Sequence, residues 1–254
     1  MRRPAVPLRT IFLDCDSTLV SVEGIDELAA RAGVGESMAC LTRDAMNGRV
    51  PLEAVYGSRL AAVRPDRDAL AWLAQRYLET LVDGARELVA CLHALDKEVH
   101  VISGGLAVGV RAVAEHLGVP EDRVHAVPVN IAPDGSFAGF QEDTPLARSG
   151  GKETICRAVM ERSPGPSAIV GDGTTDVEAG AACDLVVGFG GVAARDEVRR
   201  RADVYVEQPS LLALLPALTT DEELATLDQA GHGDAVRAAR ASLDSGSSGS
   251  PRRT

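Results

Sequence analysis

The sequence predicts an α/β fold, a doubly wound parallel sheet with a small helical insertion after its first strand. Three observations carry that expectation. From residue 84 onward, short apolar runs alternate with helix-length segments, the rhythm of successive βα units. Apolar residues make up 45% of the 254, mostly Ala, Leu and Val with only 3% aromatics, which suits helices on a parallel sheet better than a β-sandwich. Between the first apolar run and residue 84, by contrast, every segment reads as helix.

The first strand is Ile11 to Leu13, a continuous apolar run of the kind buried on both faces. It ends in Asp14-Cys15-Asp16-Ser17-Thr18, and strand alternation, if it continued, would put both aspartates on one side. Paired carboxylates at a buried strand end need neutralising, and a divalent cation such as Mg²⁺ takes oxygen ligands. A strand-ending turn is the alternative, since Asp and Ser are common turn residues. Helices are expected over 25–32, 37–47, 51–63 and 67–80, punctuated by Gly33, Gly48 and Pro65.

Helix 84–96 then leads to strand Val99–Ile102, which is expected to stop at Ser103-Gly104-Gly105, with helix 106–117 and strand 124–128 beyond. Val129 to Phe140 reads as a hairpin turning at Asp134-Gly135. Loop 141–150 runs into helix 151–162, strand Ala168–Val170 ends at Gly171-Asp172-Gly173, and helix 175–182 follows. Strands 184–189 and 203–207 flank helix 192–201, and 208–218 forms a last short helix on the sheet. The domain expectation is a core of 1–20 and 81–218, an insertion of 21–80, a helical extension of 219–244 and a flexible tail of 245–254.

Net charge is −11, from 37 acidic and 26 basic residues, which gives no electrostatic footprint for nucleic acid or anionic membranes. No apolar run reaches membrane-spanning length and no signal peptide is visible, so a cytoplasmic location is expected. The five cysteines (15, 40, 91, 156, 183) are scattered without a CxxC pair and read as reduced.

Ligands bind such sheets at the carboxyl ends of the strands, where three runs here end in candidate chemistry. A carboxylate at a strand tip, such as Asp14, can attack phosphorus and form an aspartyl-phosphate. Asp16 is placed to protonate the leaving oxygen and then to deprotonate water. Asp172 adds a carboxylate, and Asp176, one helical turn on, is suited to holding a metal-bound water or orienting a lysine; a helix N-cap with a first-turn acid is the alternative. Ser103-Gly104-Gly105 offers a hydroxyl and backbone N–H groups to an anion, or is an ordinary βα turn. Lys152 runs against the dipole of its helix, which neutralising a phosphoryl group would explain; a solvated surface lysine is the alternative. Histidine ligand spacing, a GxSxG elbow and a GxxxxGK[ST] loop are all missing.

Together, Asp14-Cys15-Asp16-Ser17-Thr18, Ser103-Gly104-Gly105, Lys152 and Gly171-Asp172-Gly173-Thr174-Thr175-Asp176 resemble the four ordered motifs of the haloacid dehalogenase superfamily. Residues 22–29 and 41–46, Arg59 and Gly188-Phe189-Gly190-Gly191 resemble its branch acting on phosphoserine, and the likeness spans about residues 8 to 215. It implies a Rossmann-like core, a helical cap, Mg²⁺ as cofactor, and O-phospho-L-serine as substrate. Asp14 would be the nucleophile and Asp16 the acid/base. Mg²⁺ would lie on Asp14, the Asp16 carbonyl and Asp172, and the phosphate on Ser103, Gly104 and Lys152. Thr175 would also bind substrate, Glu23 its ammonium and Arg59 its carboxylate, with Met46 lining the pocket. Leu52 and Leu106 stand where the family often has phenylalanine, and Asn47 where it often has glycine, changes that would reshape the pocket. A second reading keeps the mechanism and takes another small phosphorylated metabolite; a third is a silent phospho-ligand-binding domain, against which the presence of both Asp14 and Asp16 argues.

Overall fold

The computed structural model describes residues 4–35 and 51–246. The helix expected over 37–47, with Cys40, Met46 and Asn47, lies outside the described residues, as does most of the tail.

The strands are β1 (Thr10–Leu13), β2 (Glu98–Leu106), β3 (Val124–Val127), β4 (Val129–Ile131), β5 (Phe137–Phe140), β6 (Ser167–Gly171), β7 (Leu185–Phe189) and β8 (Val204–Val206). Six of them form one parallel sheet in the order β3-β2-β1-β6-β7-β8, while β4 and β5 make a separate antiparallel hairpin. β1 is flanked on both sides, with Leu13 beside Val101 on one neighbour and Val170 on the other. Its residues are buried throughout, which is why its sequence is a continuous apolar run rather than an alternation.

The described helices are α1 (Gly24–Arg31), α2 (Leu52–Val63), α3 (Arg67–Glu79), α4 (Ala85–Ala94), α5 (Ala107–His116), α6 (Gly151–Arg162), α7 (Thr174–Ala179), α8 (Asp196–Arg201), α9 (Leu215–Leu218), α10 (Asp221–Leu227) and α11 (Gly233–Gly246). α1 to α3 belong to the insertion. Its two ends are stitched together where Val20 bridges Leu81, with Ser21 N–H donating to Thr80 O at 2.8 Å and Val82 N–H to Leu19 O at 2.9 Å. α3 starts where the Asp66 carboxylate accepts from Ala69 N–H, and buries Leu70, Leu73 and Tyr77 along one face.

Some boundaries differ from expectation. β2 does not stop at Ser103: extended backbone continues through both glycines to Leu106, which is paired with Val127 across an irregularity in the register. Helix 192–201 shortens to α8, because the chain after Gly190-Gly191 stays open as far as Arg195. The segment 208–218 divides into a 3₁₀ turn, Leu211–Leu214, and α9.

The C-terminal extension is anchored at the opposite end of the sheet from Asp14. Thr220 and Glu223 cap α10 reciprocally, and Glu223 also accepts from the buried Lys97 Nζ at 2.5 Å, which donates to Leu8 O at 2.8 Å as well. Leu8 lies two residues before β1 and Lys97 immediately before β2. Among the described residues, no helix is long and apolar enough to cross a membrane.

Candidate active site

The register decides where the chemistry gathers. With Leu13 level with Val101 and Val170, Asp14 just past β1, Asp172 just past β6 and Ser103 within β2 come to the same end of three adjacent strands. The chain leaves β1 toward β2 and β3 on one side and returns as β6 on the other. This is a switch point, where a crevice opens between diverging connections.

Asp14 and Asp16 are not presented by strand alternation. The strand ends at Leu13 and the backbone coils from Cys15 to Leu19, with Ser17 at φ 54°, a left-handed conformation unusual for serine. Cys15 packs fully buried, and its thiol is pushed up by burial and the two neighbouring carboxylates, so it is inert as a nucleophile.

Lys152 Nζ lies 2.6 Å from Asp14 Oδ1 and 2.7 Å from Asp176 Oδ1, all three side chains being buried. That is the reason a cation sits in the first turn of α6 against the helix dipole. Burial alone would depress Lys152, but Asp14 and Asp176 outweigh it and hold the ammonium charged. Asp14 is pushed well up by burial and by Asp176 and Asp172, with Lys152 opposing. Asp176 is aimed at the lysine by Gly173 N–H, which donates to its Oδ2 at 3.0 Å. Gly171 permits this approach, because a Cβ there would collide with the Asp176 carboxylate.

Asp16 turns toward the insertion. Its Oδ1 accepts from Gly24 N–H at 3.0 Å and from the Tyr77 hydroxyl, and Ser103 Oγ donates to its Oδ2 at 3.4 Å. Burial raises it, while Tyr77 and the Gly24 N–H pull the other way.

Oxygens of Asp14, Asp172 and Asp176 lie within 4.8 Å of one another. This all-carboxylate donor set fits a hard divalent cation. Its proton affinities agree: burial and the neighbouring Asp176 push Asp172 up to about 7, even though Arg195 pulls it down. The acids outnumber the cations that neutralise them, a balance that a dication would correct.

Asp14, Asp16, Glu23, Arg59, Ser103, Gly104, Lys152 and Thr175 line one pocket together with Leu106, and Met46 lies outside the described residues. Glu23 accepts from Ser17 Oγ at 2.7 Å, and burial, reinforced by Asp16 and Asp172, lifts it to about 8. Arg59 is 3% exposed, so a solvated helix face does not describe it; its guanidinium stands 5.8 Å from the centre of the Tyr56 ring. Burial lowers Arg59, though it remains a permanent cation at physiological pH. The insertion is tied down over this edge. Tyr56 donates to Gly104 O at 2.7 Å, and Ser149 N–H and Oγ each donate to Glu53 Oε2 at 2.9 Å.

Four residues here escaped the sequence reading. Arg195 binds Asp172 Oδ2 at 2.8 Å and reaches Glu23 at 3.5 Å, and its one signal is its place after Gly188-Phe189-Gly190-Gly191. Arg148 and Tyr56 line the pocket, with proximity to Lys152 and Arg59 as their only clues. Tyr77 is indistinguishable in sequence from a core residue, since it continues the apolar face of Leu70 and Leu73.

A family model for haloacid dehalogenase-like hydrolases matches residues 8–184. The phosphoserine phosphatase of Bos taurus is 38% identical over 197 residues, 77% of this chain and 88% of that protein. Among solved structures, a phospho-aspartyl intermediate analogue of phosphoserine phosphatase superposes with a TM-score of 0.73 at 27% identity, covering 84% of this chain and all of the other. A substrate-bound phosphoserine phosphatase complex superposes equally well, with a TM-score of 0.73, 26% identity and the same coverage.

Proposed function

The chain belongs to the haloacid dehalogenase-like hydrolases, and from that premise we propose that it hydrolyses O-phospho-L-serine to L-serine and phosphate, with Mg²⁺ as cofactor. The observation that carries the reading is the composition of the pocket. Asp14, Asp16, Ser103 and Lys152 share it with a half-buried carboxylate, Glu23, and a buried guanidinium, Arg59. A phosphate ester that also bears an ammonium and a carboxylate satisfies both.

In the reaction, an Asp14 carboxylate oxygen attacks phosphorus and the bond from phosphorus to the serine oxygen breaks. Asp16 gives its proton to that oxygen; its burial favours the protonated form needed here. Water then attacks the aspartyl-phosphate, Asp16 takes the water's proton, and the bond from Asp14 to phosphorus breaks. Lys152 keeps its charge throughout and offsets that of the phosphoryl oxygens, with Ser103 and Gly104 alongside. Asp14, the Asp16 carbonyl and Asp172 would hold the Mg²⁺, with Asp176 orienting Lys152 beside them. When bound, the ion would neutralise the carboxylates and the transferring phosphoryl group.

Phosphate release from a panel of metabolite phosphates, with and without EDTA, tests the reading. Phosphoserine is expected to be preferred clearly over sugar phosphates, and EDTA to abolish turnover. A preference for sugar phosphates would move the substrate to another small phosphorylated metabolite, and EDTA-resistant turnover would remove the metal.

A further inference from the structure

Tyr77 reaches the reacting groups without touching the pocket. It extends from the last turn of α3, is fully buried and is not among the residues lining the cavity, yet its hydroxyl donates to Asp16 Oδ1. Two glycines on two helices make room for it, and a third makes room for its partner. A Cβ at Gly109 of α5 would lie 2.9 Å from two ring carbons, whereas one at Gly105 of β2 would collide with Asp16 Oδ2. A Cβ at Gly24, where α1 begins, would collide with the Tyr77 hydroxyl oxygen. Phenylalanine would fill the same volume, so the packing alone does not call for the hydroxyl, whose hydrogen bond goes to Asp16.

The consequence falls on the carboxylate. Oδ1 is held by Tyr77 and by Gly24 N–H at 3.0 Å, whereas Oδ2 has only the long 3.4 Å contact from Ser103 Oγ. One oxygen is fixed and the other is left for proton transfer.

We propose that Tyr77 is a positioning residue for Asp16, locking the carboxyl rotamer that presents Oδ2 to the leaving-group oxygen. The proposal rests on Asp16 being the acid/base, and its test separates the two claims. It uses kcat/KM for phosphoserine, whose alkoxide must be protonated as it leaves, and for p-nitrophenyl phosphate, whose phenolate leaves without a proton. A residue that acts only on stability or binding of the phosphate lowers both alike.

Tyr77→Phe is expected to lower kcat/KM for phosphoserine roughly 10- to 100-fold, part of the 10²–10⁴ that general acid catalysis supplies, and for p-nitrophenyl phosphate by less than about threefold. Gly109→Ala keeps the hydroxyl while pushing on the ring, and is expected to show the same selective loss. Circular dichroism confirms the fold of each variant. Asp16→Asn is the reference and is expected to be more selective still. If it is selective while both other variants lose equally on the two esters, or lose nothing, the role of Tyr77 is overturned. An Asp16→Asn enzyme without selectivity overturns the acid/base reading and the proposal with it.

Discussion

Replacing Lys152 by methionine removes a charge while nearly conserving volume, so its effect reads electrostatics rather than a cavity. The ammonium sits 2.6 Å from Asp14 and 2.7 Å from Asp176, with 7% of its side chain exposed. At an effective dielectric of about 20, a pair at that separation attracts by about 6 kcal/mol, much of it offset by desolvation. Breaking one partner out of a buried pair leaves a net destabilisation of about 3–5 kcal/mol. For a chain of this size each kcal/mol moves Tm by about 2–4 °C, so Lys152→Met is expected to melt roughly 6–20 °C lower in EDTA. On the proposed reading Mg²⁺ would neutralise the same carboxylates, so saturating Mg²⁺ should narrow the gap. Turnover should fall about 10²–10³-fold, as for loss of other preorganised charge stabilisers. Thermal unfolding at pH 7 with EDTA and with Mg²⁺, beside steady-state phosphate release, measures both. A Tm within 2 °C of the parent (about half a kcal/mol or so) in EDTA, or turnover within about tenfold, would refute the reasoning.

Asp14→Asn should abolish turnover and leave no phospho-enzyme on rapid quench, yet melt no lower than the parent in EDTA, since removing a buried charge and its repulsion from Asp176 and Asp172 outweighs the lost attraction of Lys152, which keeps Asp176 as its partner. Arg59→Ala is expected to cost roughly 10²-fold in kcat/KM on phosphoserine and far less on phosphoethanolamine, which lacks the carboxylate; equal losses would end its role as the clamp. Away from the site, His125 is held down to about 4 by burial and by His100, 3.1 Å away, with Arg162 opposing and Asp122 favouring its charge. A histidine whose folded proton affinity is lowered contributes stability above its unfolded pKa near 6.5, and loses it as pH falls toward about 4. At about 1.4 kcal/mol per tenfold change in affinity, and discounted for partial exposure, that loss is about 2 kcal/mol. Glu23 and Asp172 act in the opposite sense, gaining stability as pH falls, so the effect is isolated by comparison with His125→Gln. Urea unfolding from pH 7.5 to 4.5 (a span covering most of the window between the two pKa values) should show a difference between the two proteins that grows toward acid, and a constant difference would contradict the shift.

The centre of the sheet was legible because β1, β6 and β7 are buried throughout and so write themselves as largely apolar runs. Ile11–Leu13, Val99–Ile102 and Ala168–Val170 are adjacent in the sheet although far apart in sequence. Right-handed crossovers leave little freedom in how such runs assemble. The end of β2 was not legible. Ser103-Gly104-Gly105 carries every local sign of a turn, yet pairing resumes at Leu106 with Val127, and neighbouring strands override turn preference.

The site divides along the same line. Asp14, Asp16, Ser103, Asp172 and Lys152 are polar residues at or near the ends of apolar runs, where a turn, cap or surface reading is open to each alone, and they draw notice by converging on one edge of the sheet. Tyr77 and Arg195 carry no such mark. Tyr77 obeys the helical periodicity of an apolar face, and its hydroxyl acquires a partner only because Gly24 and Gly109 let the ring through. Arg195 is one of several arginines near α8, set apart from Arg199, Arg200 and Arg201 only by the turn that aims it at Asp172 while they pair with Glu207 and Glu197 near the surface. Residues that react are exposed by pattern, whereas residues that hold the reacting groups in place are core residues until the packing is known. That is why a candidate acid/base is readable from two aspartates and the residue proposed to orient it is not.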